Sequence, residues 1–97
     1  MFVKSKLLER RLTETGQRLK RLRVDLLVSE EQLSHFSEEA EDARIRSLVS
    51  ETPLAGQEHR EASKHAESMR RHRELLLKEI ERVEDLQNQL LDQMASE

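Results

Sequence analysis

An all-α fold is predicted for this chain, with two long helices that form an antiparallel coiled-coil hairpin. Three observations predict it. Charged residues make up 38% of the 97 residues and aromatic residues only 2%, a composition typical of long helices with one narrow apolar seam. Apolar residues recur at alternating spacings of four and three, the period of a left-handed coiled coil. One proline, Pro53, interrupts this pattern near the middle of the chain.

The first predicted helix spans about residues 4–48. Thr15 and Ser29 are polar positions in its seam, and we expect them to weaken the apolar contact locally. The whole seam consists of Leu8, Leu12, Thr15, Leu19, Leu22, Leu26, Ser29, Leu33, Phe36, Ala40 and Ala43.

The turn is predicted at about residues 49–53. Pro53 cannot continue a helix, and it pushes the residue before it out of the α region. Thr52 suits the N-cap of a second helix, and Pro53 suits its first helical position. The chain is therefore expected to reverse direction immediately before Pro53.

The second predicted helix spans about residues 53–94. Arg73 and Gln87 are its polar interruptions. Its seam consists of Ala62, Ala66, Met69, Arg73, Leu76, Ile80, Val83, Gln87, Leu90 and Met94.

Charge segregation favours the antiparallel arrangement. Residues 1–23 carry eight basic and two acidic side chains, whereas residues 25–42 carry seven acidic and none basic. Residues 62–79 are net basic and residues 81–97 net acidic. Folding the chain back at residue 52 places opposite charges face to face, whereas a parallel self-dimer would align like charges. Charge pattern sets orientation in coiled coils.

Apolar residues outside the two seams predict self-association. A two-helix hairpin buries only one stripe of each helix, so a second apolar face favours a dimer that forms a four-helix bundle. The residues outside the seams are Leu7, Val24, Leu27, Val28, Leu75, Leu77, Leu86 and Leu91.

Several classes of function are not favoured by the sequence. It has no cysteine and no nucleophile or phosphate-loop motif, so we do not expect an enzyme. None of the four histidines has a glutamate three residues before it, the spacing of helical di-iron sites, so neither a metal nor another cofactor is expected. No apolar run is long enough to cross a bilayer, and a cytoplasmic protein is expected.

The turn region is the first candidate site. Apolar side chains gather there, where a hairpin offers them least cover, and exposed apolar patches mark partner sites. The alternative is that these side chains cover one another across the turn. The predicted partner-binding tip consists of Ile45, Leu48, Val49, Glu51 and Leu54.

A basic face on the first helix is the second candidate site. Arg18, Lys20, Arg21 and Arg23 could contact the phosphates of RNA or of the ribosome, or form a solvated face with intramolecular ion pairs. The apolar and basic segment 1–8 could lie on an anionic membrane. Glu9 and Glu14, with the continuing seam, favour a coiled coil over membrane contact for that segment.

The segment Leu48-Val49-Ser50-Glu51-Thr52-Pro53-Leu54 between two charged heptad helices resembles small, uncharacterised helical-hairpin proteins of high-GC Gram-positive bacteria. That resemblance implies the fold and no activity. The hairpin is also similar to that of Gre-type transcript cleavage factors, which insert a coiled-coil tip into the secondary channel of RNA polymerase. A close pair of acidic tip residues helps to hold a catalytic metal in that family.

This sequence departs from the Gre-type pattern at the tip. It offers Glu51 alone, with Asp42 well back along the helix, and a counterpart of the globular domain that follows the hairpin in that family is not expected. The likeness therefore extends to docking of an inserted tip and not to transcript cleavage.

The sequence predicts a non-enzymatic coiled-coil interaction module that binds a protein partner or itself. The alternative is a small accessory factor bound to the ribosome, RNA or RNA polymerase through the basic face or the hairpin tip.

Overall fold

The computed structural model describes residues 2–96, with side chains from residue 5 onward. Helix α1 spans Phe2–Ser50 and helix α2 spans Pro53–Ala95. No strand occurs among the described residues, and the predicted all-α helical hairpin is confirmed. Contacts divide it into two compact units, which we describe separately. The terminal unit combines Met1–Leu26 with Leu76–Glu97, and the tip unit is Leu27–Leu75.

The turn is shorter than the predicted residues 49–53. Helix α1 continues to Ser50, so only Glu51 and Thr52 lie between the helices. The backbone N–H of Glu51 donates to the Ser47 carbonyl at 3.1 Å, and Glu51 itself takes a positive φ of 50°. Because a single left-handed residue is enough to end a helix, no longer loop is needed.

The seam predicted for both helices is confirmed by burial. Every seam position of either helix is buried or half-buried. The seam also continues beyond the predicted range on α2, because Ala55 is buried and His59 is half-buried. The apolar residues predicted outside the seam are exposed, except Leu86, which is half-buried.

The core of the terminal unit lies between the two helices. Leu19 on α1 packs with Ile80 and Val83 on α2, and the partly buried Leu22 and Leu26 complete the cluster. Each of these side chains removes apolar surface from water, at about 25 cal/mol per Å² buried. Burial of this stripe, rather than helix propensity alone, stabilises the pair of long helices.

The tip unit has smaller and more polar seam residues. Ala43, Ala55 and Ala66 are buried there. Phe36 is the largest apolar side chain of its seam, and its ring meets the His65 ring edge-on at a centroid distance of 5.7 Å. Arg73 reaches across to Glu30, with 3.8 Å between Nε and Oε1. The tip unit therefore relies less on large aliphatic side chains.

The helices are amphipathic rather than uniformly apolar. Between residues 2 and 96, neither helix has a stretch apolar and long enough to cross a membrane.

Candidate functional site

The tip is built by complementary helix caps on either side of the turn. On the α2 side, the backbone N–H of Ala55 donates to Thr52 Oγ1 at 3.1 Å. This confirms Thr52 as the N-cap, and α2 begins at Pro53 as predicted. The backbone N–H of Gly56 also donates to the Thr52 carbonyl at 3.1 Å. Both helix ends are thus tied within a few residues of the turn, which fixes the backbone that carries the neighbouring side chains.

Four large apolar side chains surround this capped turn, and we call them the tip patch: Ile45, Leu48, Val49 and Leu54. Val49 is 80% exposed, Leu54 64%, Leu48 63% and Ile45 47%. Exposure on this scale contradicts the alternative in which the four side chains cover one another across the turn. The patch faces solvent in the described chain.

Charged groups lie close to the tip patch. Arg44 donates two hydrogen bonds to the Glu41 carboxylate, at 3.0 Å from Nε and 2.7 Å from Nη2. The hydrogen bond from Arg44 lowers the pKa of Glu41 below its ordinary value, and the same bond raises the pKa of Arg44. Arg46 and Glu51 form no ion pair with any described residue, so their charges remain available to another molecule.

A shallow concavity of about 340 Å³ lies beside the tip in the same unit. Its charged lining is three carboxylates, those of Glu39, Asp42 and Glu58, and the Arg46 guanidinium. Across the part of the chain that the structure describes, no group of three or more His, Asp or Glu side chains is arranged to hold a metal ion.

The predicted basic face divides into paired and unpaired cations. Arg18 forms a salt bridge with Glu79 on α2, and Arg23 Nη2 lies 3.2 Å from Glu84 Oε2. Lys20 and Arg21 are exposed and have no ion pair among residues 5–96. Arg18 and Arg23 are therefore paired with carboxylates of the second helix, whereas Lys20 and Arg21 are not, and the binding role of the four residues stays a prediction.

The segment 1–8, a candidate for membrane contact, has described side chains only at residues 5–8. The side chains of residues 1–4 lie outside the described residues. Leu8 is buried in the seam and Leu7 is half exposed, so the described end of the segment belongs to the coiled coil.

Sequence reasoning missed one feature of the tip, the left-handed conformation of Glu51. The sequence carries no sufficient signal for it, because the first helix is predicted to end at about residue 48 and only its observed end at Ser50 leaves a single residue before Thr52 and Pro53. Such a residue must change the chain direction within a single position, and the left-handed region is the usual solution at a helix C-terminus.

No protein family, curated protein or solved structure matches this chain. The candidate sites are therefore argued from its own geometry and charge.

Proposed function

We propose that this chain is a non-enzymatic interaction module whose tip patch binds a protein partner. The observation that supports the proposal best is the exposure of four large apolar side chains around one two-residue turn. Burying such side chains against a partner is favourable, at about 1.5–3 kcal/mol for each one fully buried. Because the helix caps already order the backbone of the patch, binding costs mainly the rotamer freedom of its side chains, which favours affinity.

The chemistry of the patch favours a protein partner with an apolar cleft. Isoleucine, leucine and valine side chains offer no hydrogen bonds to phosphates or sugars. Their binding energy comes from removing apolar surface from water, so the partner must supply a complementary apolar surface. Arg46 and Glu51 are unpaired charges near the patch, and they suit a polar rim around an apolar centre.

Backbone strain at Glu51 supports the same proposal. A left-handed conformation costs a non-glycine residue roughly 1–2 kcal/mol, and glycine would avoid that cost at this position. Strained residues cluster at binding and catalytic sites. The exposed carboxylate of Glu51 is therefore proposed to contact a basic group of the partner.

A capture experiment with two matched variants tests the tip patch. The full chain, carrying an affinity tag, is used to recover binding proteins from extracts of its native cells, which are then identified by mass spectrometry. The test variant is Leu48→Ser with Leu54→Ser, whose side chains are 63% and 64% exposed. The control is Leu27→Ser with Leu75→Ser, which are 66% and 65% exposed in the same unit and belong to the apolar face predicted to self-associate, so it separates partner capture from self-association.

We expect one protein to be enriched by the wild type and the control, and lost with the test variant. All three chains should have similar helical circular dichroism, because none of the four leucines packs in the seam between α1 and α2. The proposal fails if the test variant captures the same protein as well as the wild type does. It also fails if only further copies of this chain are recovered.

A further inference from the structure

Four exposed cations lie on the side of α1 opposite the seam in the terminal unit. We call these residues the outer basic face: Lys6, Arg10, Lys20 and Arg21. Their helical positions all lie within about 60° of the direction opposite the seam, at 100° per residue. None of them has an ion pair within the described chain. Arg18 and Arg23, by contrast, lie at the edges of the seam and pair with Glu79 and Glu84.

A concavity in the terminal unit adds a second observation. It has a volume of about 670 Å³, and it is lined by Gln17, by the unpaired Lys20 and Arg21, and by Arg18, which is paired with Glu79. Leu22 and Val24 supply its apolar wall, and Asp25 is its one carboxylate. The surface therefore combines two unpaired cations, one paired cation, one carboxylate, an amide and apolar carbon in one shallow depression.

We infer that the outer basic face binds the phosphate backbone of a single-stranded nucleic acid. Unpaired lysine and arginine side chains gain free energy at phosphates by releasing condensed counterions. The stretch from Lys6 to Arg21 is about 22 Å long at 1.5 Å per residue, a length that suits several nucleotides. The concavity lies between side chains of α1 alone, and its apolar wall and Gln17 can contact ribose.

Recognition at this face is independent of base sequence. No aromatic residue occurs in the described part of the terminal unit beyond Phe2, so bases lack a ring to stack on. Phosphate contacts position a strand without reading it. The chain carries a formal net charge of −3, so its overall charge repels a nucleic acid. The attraction must therefore come from the local positive field of this face.

A lipid surface fits the same residues less well. Interfacial helices bury a continuous apolar side next to their basic one. Here Leu7 and Val24 are separated on the outer surface by Thr13, Glu14 and Gln17. The apolar area is too interrupted to enter a bilayer interface.

Fluorescence anisotropy with a labelled oligouridylate of about 12 nucleotides tests the inference, because that length lies within known single-strand site sizes. The test variant is Lys20→Gln with Arg21→Gln in the full chain. The control is Arg70→Gln with Arg71→Gln, which removes two positive charges that lie near Glu67 on α2. Vesicles of phosphatidylcholine and phosphatidylserine are a second probe.

We expect wild-type affinity to fall with salt at a logarithmic slope of about −3, since four cations each contribute about −0.7 on a single strand. The test variant should bind about tenfold more weakly at low salt, with the slope reduced by about 1.4. The control should bind as the wild type does. Lys20→Arg with Arg21→Lys, which keeps both charges, should restore binding.

Three results would overturn the inference. The first is equal weakening by the test variant and the control, because that indicates general charge attraction rather than this face. The second is binding to the vesicles without binding to the oligonucleotide, which makes the face a lipid site. The third is the absence of binding to the oligonucleotide at low salt.

Discussion

At the scale of single residues, the seam contains two hydroxyls with different surroundings. Thr15 is buried, and its hydroxyl donates to the Arg11 carbonyl at 2.6 Å. Ser29 is 1% exposed, and its hydroxyl has no hydrogen-bond partner among the described residues. A buried hydroxyl without a partner costs about 1–3 kcal/mol of desolvation. Ser29 therefore lowers the free energy of unfolding.

Replacing Ser29 tests this account of the seam. Ser29→Ala removes the unpaired hydroxyl and introduces a better helix former, so it should raise the free energy of unfolding by about 1 kcal/mol. Thr15→Val removes a hydroxyl that has a partner, and it should give no gain. Thermal denaturation followed by circular dichroism measures both variants. A melting temperature lowered by Ser29→Ala would contradict this account.

Glu51 is the second residue whose conformation costs stability. Glu51→Gly removes the penalty of a side chain at positive φ, offset in part by the greater freedom of glycine in the unfolded chain. The free energy of unfolding should rise by about 0.5–1 kcal/mol. Glu51→Ala keeps a Cβ and serves as the control. Urea denaturation should separate the two variants, and equal midpoints would show that Glu51 is not strained.

At the scale of helices, burial in the seam holds α1 and α2 together. Val83 on α2 is 2% exposed and packs with Leu19 of α1. Val24 lies on the side of α1 that faces away from α2, and it is 54% exposed. The exposed salt bridges between the helices, such as Arg23 with Glu84, contribute only about 0–1 kcal/mol each. The apolar seam is therefore the main source of stability, and the charges select the orientation.

Replacing each of these two valines by alanine separates the contribution of burial to stability from that of helix propensity, because the change in propensity is the same at both positions. Val83→Ala should lower the free energy of unfolding by about 1–3 kcal/mol, because it removes buried methyl groups and leaves a cavity. Val24→Ala should change it by less than about 0.5 kcal/mol. Urea denaturation of both variants gives the comparison. Equal effects would mean that the seam register is wrong.

The helices and their seam could be predicted from sequence because their period is a local property of the chain. The positions from Leu8 to Ala43 follow from spacing alone. The position of each cation relative to the seam follows from helical periodicity, but its ion pairing could not be predicted, because pairing depends on whether a carboxylate on α2 comes within reach. Arg18 forms a salt bridge with Glu79 and Lys20 has no ion pair among the described residues, although the two lie only two positions apart in sequence.

At the scale of the whole molecule, the predicted dimer and four-helix bundle stay a prediction. Large apolar side chains outside the tip patch are exposed, including Leu27, Leu75 and Leu91, and a second copy would cover such residues. Sedimentation equilibrium should give about twice the chain mass of 11.4 kDa. The dimer should persist at high salt, because apolar burial is not screened. A monomer at every concentration would refute self-association.

The central claim is that the tip patch is the surface that binds a protein partner, and photo-crosslinking in living cells tests it most directly. A photo-reactive amino acid replaces Leu48 in one chain and Leu75 in another, two positions of nearly equal exposure, 63% and 65%. We predict that the chain labelled at position 48 crosslinks to one dominant protein other than itself, and that the chain labelled at position 75 does not. The claim would be contradicted by the same crosslinked protein from both positions, or by crosslinks at position 48 only to further copies of this chain.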